Sequence, residues 1–292
     1  MFPVPLAFAT AKSLGDFVIA HSVLHRLPAD AKKGIRLISS SCVEELQAIL
    51  PADVNVTLVE SGGQRVPALF DLKKRGALAA ARSALSLRRE FRRLARHRNE
   101  LLAFMVFGAR ERFIAGGWPV LTARAKGPNI YATYQQFLAE QGVRTAAQRC
   151  RFTGNLRTVG IFPESRLAVK RLDFGTLSVI FQRLAHAGAR AKLFILEGDE
   201  STVRSGPDVV CIPRNFRSLA QAIESVDAVI SADSLPAHLA EYLARPVFVA
   251  TPVANEYWLP YQCFQDESWG TFRRPAHFSR SLDRFLSASA PL

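Results

Sequence analysis

The strongest constraint on the fold is an alternation of short apolar runs with segments of helical spacing in the second half of the chain. The runs are rich in Val, Ile and Phe, as strands buried on both faces are, and they cover residues 158–162, 192–196, 226–231 and 246–250. The clearest helical segment extends from a predicted N-cap at Asp173 to a predicted C-cap at Gly188. This alternation predicts βαβ units and a parallel, doubly wound sheet.

The first half shows a similar pattern with less regular spacing. Its predicted strands are 4–9, 35–38, 54–59, 101–107 and 112–115, and its predicted helices follow the turn at 13–16 as far as about 27 and lie around 44–50 and 131–141. We therefore expect two Rossmann-like α/β domains, 1–150 and 151–292, facing across a cleft. The last segment of the chain is also a candidate to pack back on the N-terminal domain.

The net charge of +13 is concentrated in the first half of the 292-residue chain. Up to Cys150 there are 22 Lys and Arg against 11 Asp and Glu, whereas the remainder has 16 against 14. Charge of one sign on one domain indicates the kind of partner it attracts and says nothing about the fold. We expect that partner to be anionic.

The sequence argues against several classes of protein. The longest apolar run, 101–107, is far shorter than the roughly 20 residues of a membrane-spanning helix. Residues 1–11 lack the charged start of a secretory signal. The four cysteines are widely separated and form no Cys-x-x-Cys pair, which argues against a zinc ribbon or a disulfide scaffold. The pattern favours reduced thiols in the cytoplasm.

The most basic segment, 73–98, has ten Lys and Arg residues, and Arg88 and Arg92 belong to a series at helical spacing. One interpretation is a surface for a phosphate-rich acceptor or an anionic membrane. Nucleic acid is another, and a solvated face without a partner is a third.

The segment Ser13-Leu14-Gly15-Asp16 ends the first strand and opens the first helix. Asp16 at this position is suited to act as a general base on a bound hydroxyl. The alternative is that Ser13 or Asp16 caps the helix and complements its dipole. The same helix has His21 and His25 four residues apart, but no third ligand is evident and we expect no metal site.

Two further strand ends suggest an anion site. The loop 163–171 combines Ser165 with several cations, among them Lys170, and either binds phosphate or is a solvated basic loop. Ser234 opens a helix whose N-terminus favours anions, and Asp233 is better suited to sugar hydroxyls. His238, one turn further, is either a site residue or a packed histidine.

Together these segments resemble glycosyltransferase family 9, the bacterial ADP-heptose:lipopolysaccharide heptosyltransferases. Residues 13–24 resemble the family's Leu-Gly-Asp start, 162–171 its "HPGS…KRW" loop and 196–200 its "LGGPDE" segment. Residues 231–239 and 244–247 resemble "S-x-D-T-G-x-x-H-L" and "GRPVV". The resemblance covers most of the chain and implies the GT-B fold of two Rossmann-like domains.

The resemblance also implies roles. Asp16 is expected to deprotonate the acceptor hydroxyl, and Lys170 with Ser165 to neutralise the departing nucleotide diphosphate. Ser234 and His238 are expected on the donor side, with Asp233 at the donor sugar and Glu200 at the ribose. The acceptor-binding candidates are Lys12, Ser13, Lys73, Lys74, Arg88 and Arg92. Neither a metal nor another cofactor is expected.

The function that follows is inverting transfer of a sugar, expected to be heptose from ADP-heptose, onto a phosphorylated, lipid-linked glycan such as the lipopolysaccharide core. We expect a cytoplasmic enzyme, peripheral at the inner face of the cytoplasmic membrane, with no nucleic-acid partner. Departures from the motifs, at Glu164, Leu172, Leu235 and Pro236, leave the donor sugar open. The alternative is a non-catalytic protein that binds an anionic partner through its basic domain.

Overall fold

The computed structural model describes residues 5–10, 14–60, 72–95, 99–146, 156–198 and 208–288, with the backbone alone at 72–75 and 110. The chain forms two compact units, Met1–Ala147 and Gln148–Leu292. The predicted boundary between 150 and 151 lies within 147–155, outside the described residues.

The N-terminal unit is built on a parallel sheet of five strands in the order β3-β2-β1-β4-β5. The strands are β1 (Leu6–Thr10), β2 (Ile35–Ser40), β3 (Val56–Val59), β4 (Leu101–Phe104) and β5 (Val120–Thr122). The helices are α1 (Leu14–His25), α2 (Ala29–Lys32), α3 (Glu44–Gln47), α4 (Leu72–Ala95), α5 (Ala109–Ala115) and α6 (Ile130–Glu140). In α1, every residue from Phe17 to Leu24 is buried, which fixes this helix and its first turn against the sheet.

The predicted strand at 112–115 is wrong, because these residues form the end of α5. Glu111 accepts the Gly108 N–H at 2.9 Å at the start of this helix, and Gly116 ends it with φ 59°. Ile114 and Ala115 are buried while Arg112 is exposed. Four residues are too few for the helical and strand periods to be distinguished from sequence.

The C-terminal unit has a parallel sheet of six strands in the order β11-β10-β9-β6-β7-β8. The strands are β6 (Thr158–Phe162), β7 (Arg190–Leu196), β8 (Val209–Ile212), β9 (Ala228–Ala232), β10 (Val247–Thr251) and β11 (Trp269–Thr271). The helices are α7 (Phe174–His186), α8 (Phe216–Glu224), α9 (Leu235–Tyr242), α10 (Tyr261–Gln265) and α11 (Pro275–Ala288). The predicted parallel sheets and the two α/β domains are confirmed.

The predicted caps of α7 are also confirmed. Asp173 accepts the Thr176 N–H at 2.7 Å, and Gly188 follows the helix with φ 69° in the left-handed region, which costs glycine little. Helix α11 buries Phe278, Leu282 and Phe285 in the core of the C-terminal unit. The expectation that the last segment packs back on the N-terminal domain stays a prediction.

Helix α4 is the longest helix among the described residues, and Gly76 interrupts it with φ 80° and ψ 162°. Its inner face is buried at Leu87 and Phe91, which belong to the same core as Trp118. Across the described ranges, no helix combines the length and hydrophobicity that crossing a bilayer requires.

Candidate active site

The candidate site in the C-terminal unit lies where the strand order of the sheet reverses. Strands β6 and β9 are neighbours, with Phe162 opposite Ser231, whereas β7 and β8 extend to one side and β10 and β11 to the other. The loops that leave β6 and β9 therefore emerge side by side at the carboxyl edge. Ligands of doubly wound sheets bind at such reversals.

An ion pair joins the two loops. Lys170, in a 3-10 turn after β6, donates from Nζ to Oδ2 of Asp233 at 2.6 Å. The lysine side chain is 28% exposed and the aspartate side chain 12%. The structure thus brings together two residues that sequence analysis assigned separately, and it shows that the lysine charge already has a carboxylate partner.

A second ion pair lies beside the first. Arg171 Nε is 3.2 Å from Oε2 of Glu164 and donates to the carbonyl oxygen of Ser165 at 3.0 Å. Sequence analysis selected Ser165 and Lys170 from this loop and missed Arg171. The signal was available, because two adjacent cations follow a carboxylate in one short loop.

Ser234 connects the start of α9 to the same loop. Its hydroxyl lies 3.1 Å from the carbonyl oxygen of Glu164 and 3.2 Å from that of Ala232, and it donates to these acceptors instead of capping the helix. Pro236 has no N–H, which removes one donor from the first turn. The anion-binding capacity of this helix end is therefore reduced.

His238 is buried beneath this cluster. Burial lowers its pKa from 6.5 to about 4, with Asp233 opposing the shift and Lys170 adding to it. The imidazole is therefore neutral at physiological pH. A buried neutral histidine fits the packed-residue interpretation of the sequence.

The depressed histidine pKa values predict acid sensitivity. Burial also lowers the pKa of His21 to about 4. Because both folded-state values lie below 6.5, the unfolded chain binds more protons as pH falls from about 6.5 towards 4, and stability is lost over that window. We expect the free energy of unfolding to fall by about 2 kcal/mol per histidine between pH 7 and pH 5.

Urea unfolding at both pH values measures this loss. His238→Asn should reduce it by about half, and the matched change at exposed His186 should leave it unaltered. An undiminished loss in His238→Asn would contradict the assignment to this residue.

The candidate site in the N-terminal unit is at the corresponding reversal. Strands β1 and β4 are neighbours, and Asp16 lies half-buried in the first turn of α1, which follows β1. At the same edge the Thr10 hydroxyl donates to Ser39 Oγ at 3.2 Å. Asp16 is thus where a base for an acceptor hydroxyl is expected, and its role stays a prediction.

Two predicted acceptor residues contact the neighbouring helix α5. Arg88 donates to the carbonyl oxygen of Phe113 at 3.2 Å and stacks on its ring at 4.6 Å. Arg92 donates to the carbonyl oxygen of Gly116 at 3.3 Å. Both arginines stabilise the C-terminal end of α5, where cations are favoured, and acceptor binding by them stays a prediction.

For five of the predicted site residues the structure describes no side chain. Lys73 and Lys74 lie in α4 with only their backbone described, and Lys12, Ser13 and Glu200 lie outside the described residues. His25 contacts Asp53, with Nδ1 2.8 Å from Oδ1, and Asp53 also accepts from Lys32. In the part of the chain that is described, no three His, Cys, Asp or Glu residues are grouped to hold a metal ion.

Solved structures share this fold over nearly the whole chain. A family 9 glycosyl transferase from Veillonella parvula DSM 2008 superposes with a TM-score of 0.63 at 12% identity, over 99% of this chain and 97% of that one. The E. coli heptosyltransferase WaaC with ADP gives 0.62 at 13%, over 98% and 100%. The E. coli ADP-heptose lipopolysaccharide heptosyltransferase II gives 0.55 at 12%, over 97% and 98%.

No protein-family model matches the chain, and no curated protein matches it by sequence. At these identities the structural likeness establishes the fold. The predicted resemblance to family 9 is confirmed at that level, and the two parallel α/β domains fit the GT-B fold. The expected cleft between them stays a prediction.

Proposed function

We propose that this chain is an inverting glycosyltransferase that uses a nucleotide-sugar donor, with ADP-heptose as the first candidate. The observation that carries the proposal is the Lys170–Asp233 pair beside Ser234, at the strand-order reversal of the C-terminal sheet. A cation suited to a diphosphate lies there beside a carboxylate suited to sugar hydroxyls. The same fold occurs in a heptosyltransferase solved with ADP.

In the proposed reaction an acceptor hydroxyl oxygen attacks the anomeric carbon of the donor. The new glycosidic bond forms as the bond to the diphosphate oxygen breaks, so the anomeric centre inverts. The hydroxyl proton passes to the Asp16 carboxylate, and the electron pair of the broken bond remains on the nucleotide diphosphate. Lys170 stabilises that developing charge electrostatically, and the proposal requires no metal for this step.

The ion pair gives Asp233 a second role in this proposal. With the donor absent, the carboxylate holds Lys170 in place and partly neutralises it. With the donor bound, Lys170 is shared between carboxylate and phosphate, while Asp233 accepts hydrogen bonds from the sugar. The arrangement favours the complete nucleotide sugar over the free nucleotide, because the transferred sugar adds hydroxyl donors for Asp233.

The acceptor in this proposal is an anionic, lipid-linked glycan such as the lipopolysaccharide core, bound by the basic N-terminal unit. The excess of 22 Lys and Arg over 11 Asp and Glu up to Cys150 supports an anionic partner. The proposed location is the inner face of the cytoplasmic membrane.

Thermal unfolding with ADP, UDP, GDP and CMP tests the donor site. A nucleotide at about 100 times its dissociation constant adds roughly 2.7 kcal/mol to stability. That should raise the midpoint by several degrees for a chain of this size. We expect ADP, and not the other three nucleotides, to raise the unfolding midpoint of the protein. Selectivity for UDP or GDP would retain the enzyme class and replace ADP-heptose as donor.

A second candidate function is a non-catalytic protein of the same fold that binds an anionic partner. It is favoured by Glu164, which pairs with Arg171 in this loop, and by Pro236, which removes a backbone donor. Salt-dependent binding to a polyanion, with no midpoint shift for any of the four nucleotides or for ADP-heptose, would favour this candidate over the enzyme.

A further inference from the structure

The outward face of α4 is exposed, basic and partly apolar. After Gly76 its exposed residues are Ala77, Leu78, Ala81, Arg82, Leu85, Arg89, Arg92 and Arg93. Leu78 is 79% exposed and Leu85 57%, which is unusual for leucines on a helix whose inner face buries Leu87 and Phe91. Leu78 and Leu85 are therefore not part of the buried core of this unit.

The spacing places apolar and cationic groups in one stripe. Leu78, Arg82, Leu85 and Arg89 follow one another at intervals of four, three and four positions, so they lie on the same side of the helix. From Leu72 to Ala95 the sole acidic residue is Glu90, which is off this stripe and pairs with Arg93 at 2.8 Å. Within α4 itself, no acidic residue on the stripe offsets these arginines.

We propose that this outward face of α4 docks on an anionic lipid bilayer. The helix lies in the plane of the headgroups, Leu78 and Leu85 enter the boundary of the acyl chains, and Arg82 and Arg89 bind lipid phosphates. This inference rests on the proposed function and specifies which surface holds the protein at the membrane. Its test uses neither donor nor acceptor, so its failure leaves the transfer reaction untouched.

The chemistry of the stripe favours a bilayer over two other partners. The phosphate backbone of a nucleic acid offers no apolar environment for the two leucines. A second copy of the chain would place the same arginines against one another, and the net charge of +13 adds to that repulsion. A negatively charged bilayer satisfies both kinds of side chain at once.

Vesicle co-sedimentation of the full chain tests the docking. The vesicles are made of phosphatidylcholine with or without phosphatidylglycerol. We expect binding to the anionic vesicles only. Arg82→Gln/Arg89→Gln should lower the partition coefficient about 25-fold, since each basic residue near the surface contributes about fivefold. Leu78→Ser/Leu85→Ser should lower it at least about tenfold.

A matched control distinguishes the contribution of this face from that of the overall net charge. Arg217→Gln/Arg280→Gln removes two exposed arginines from the C-terminal unit and should leave partitioning within about twofold of wild type. All three double variants change exposed side chains and should keep the wild-type unfolding midpoint.

Four results would overturn the proposal. They are no binding to anionic vesicles, equal binding to neutral vesicles, equal weakening by the control pair, and no effect of the leucine pair. Binding of duplex DNA in place of vesicles, sensitive to Arg82→Gln/Arg89→Gln alone, would assign the face to nucleic acid. A wild-type dimer that Leu78→Ser/Leu85→Ser converts to monomer would assign it to a second copy.

Discussion

Replacing Asp16 by Asn is expected to lower the rate of sugar transfer by about 10²- to 10⁴-fold, the range associated with loss of a general base. The carboxylate lies in the first turn of α1, at the reversal of the N-terminal sheet. Asn keeps the size and shape of the side chain but cannot take the acceptor proton. The measurement is release of ADP from ADP-heptose in the presence of heptose-deficient lipopolysaccharide.

The competing role of Asp16 is structural, and the same variant tests it. A helix-stabilising carboxylate contributes about 0.3–1 kcal/mol in the first turn, so its loss would lower the unfolding midpoint without altering transfer by the folded protein. Asp30→Asn is the matched control, because Asp30 is also an acid in the first turn of a helix of this unit. Near-normal transfer by Asp16→Asn would remove Asp16 from the proposed mechanism.

Lys170→Ala is expected to have the second large effect. It should lower kcat/KM by about 10²- to 10³-fold, as loss of one electrostatic contact to the developing charge does. It should also abolish the ADP-induced rise in unfolding midpoint. The substitution removes the cation and leaves the Asp233 carboxylate, now without its 2.6 Å partner, next to the incoming phosphate. Both changes oppose donor binding.

Two further variants separate these causes. Asp233→Asn retains Lys170 and removes the carboxylate that neutralises it, so ADP should bind more tightly while the preference for ADP-heptose over ADP declines. Lys170→Ala/Asp233→Asn should recover part of the ADP binding that Lys170→Ala loses. The ligand-induced shift is compared within each variant, which cancels the stability change caused by breaking the ion pair. An unchanged ADP shift in Lys170→Ala would place the diphosphate elsewhere.

Local patterns were sufficient for most elements. The N-cap at Asp173 and the left-handed Gly188 bound α7 where the sequence places its caps. The apolar run at Thr158–Phe162 is a strand with the predicted bounds. The prediction of a strand at 112–115 was wrong, because the apolar run there is too short for its period to be identified. Glu111 and Gly116 instead bound the last turns of a helix.

The site was only partly predictable, because some of its contacts join residues that are far apart in the chain. The position of Asp16 after the first strand follows from neighbours along the chain. The Lys170–Asp233 pair joins residues 63 positions apart and exists because β9 returns to lie beside β6. The contacts of Arg88 and Arg92 with α5 likewise depend on how α4 packs, since helical spacing shows that side chains share a face and not what that face meets.

The sequence by itself determined the two parallel α/β domains, the caps of α7, and the positions of Asp16, Lys170 and Asp233 at the ends of strands, because these depend on periodicity and on residues adjacent in the chain. Tertiary structure alone decided the strand order, the ion pairing of Lys170, the neutral state of buried His238 and the exposure of Leu78 and Leu85. Each of these depends on which distant segment comes to lie alongside, and that is set by the packing of the whole domain.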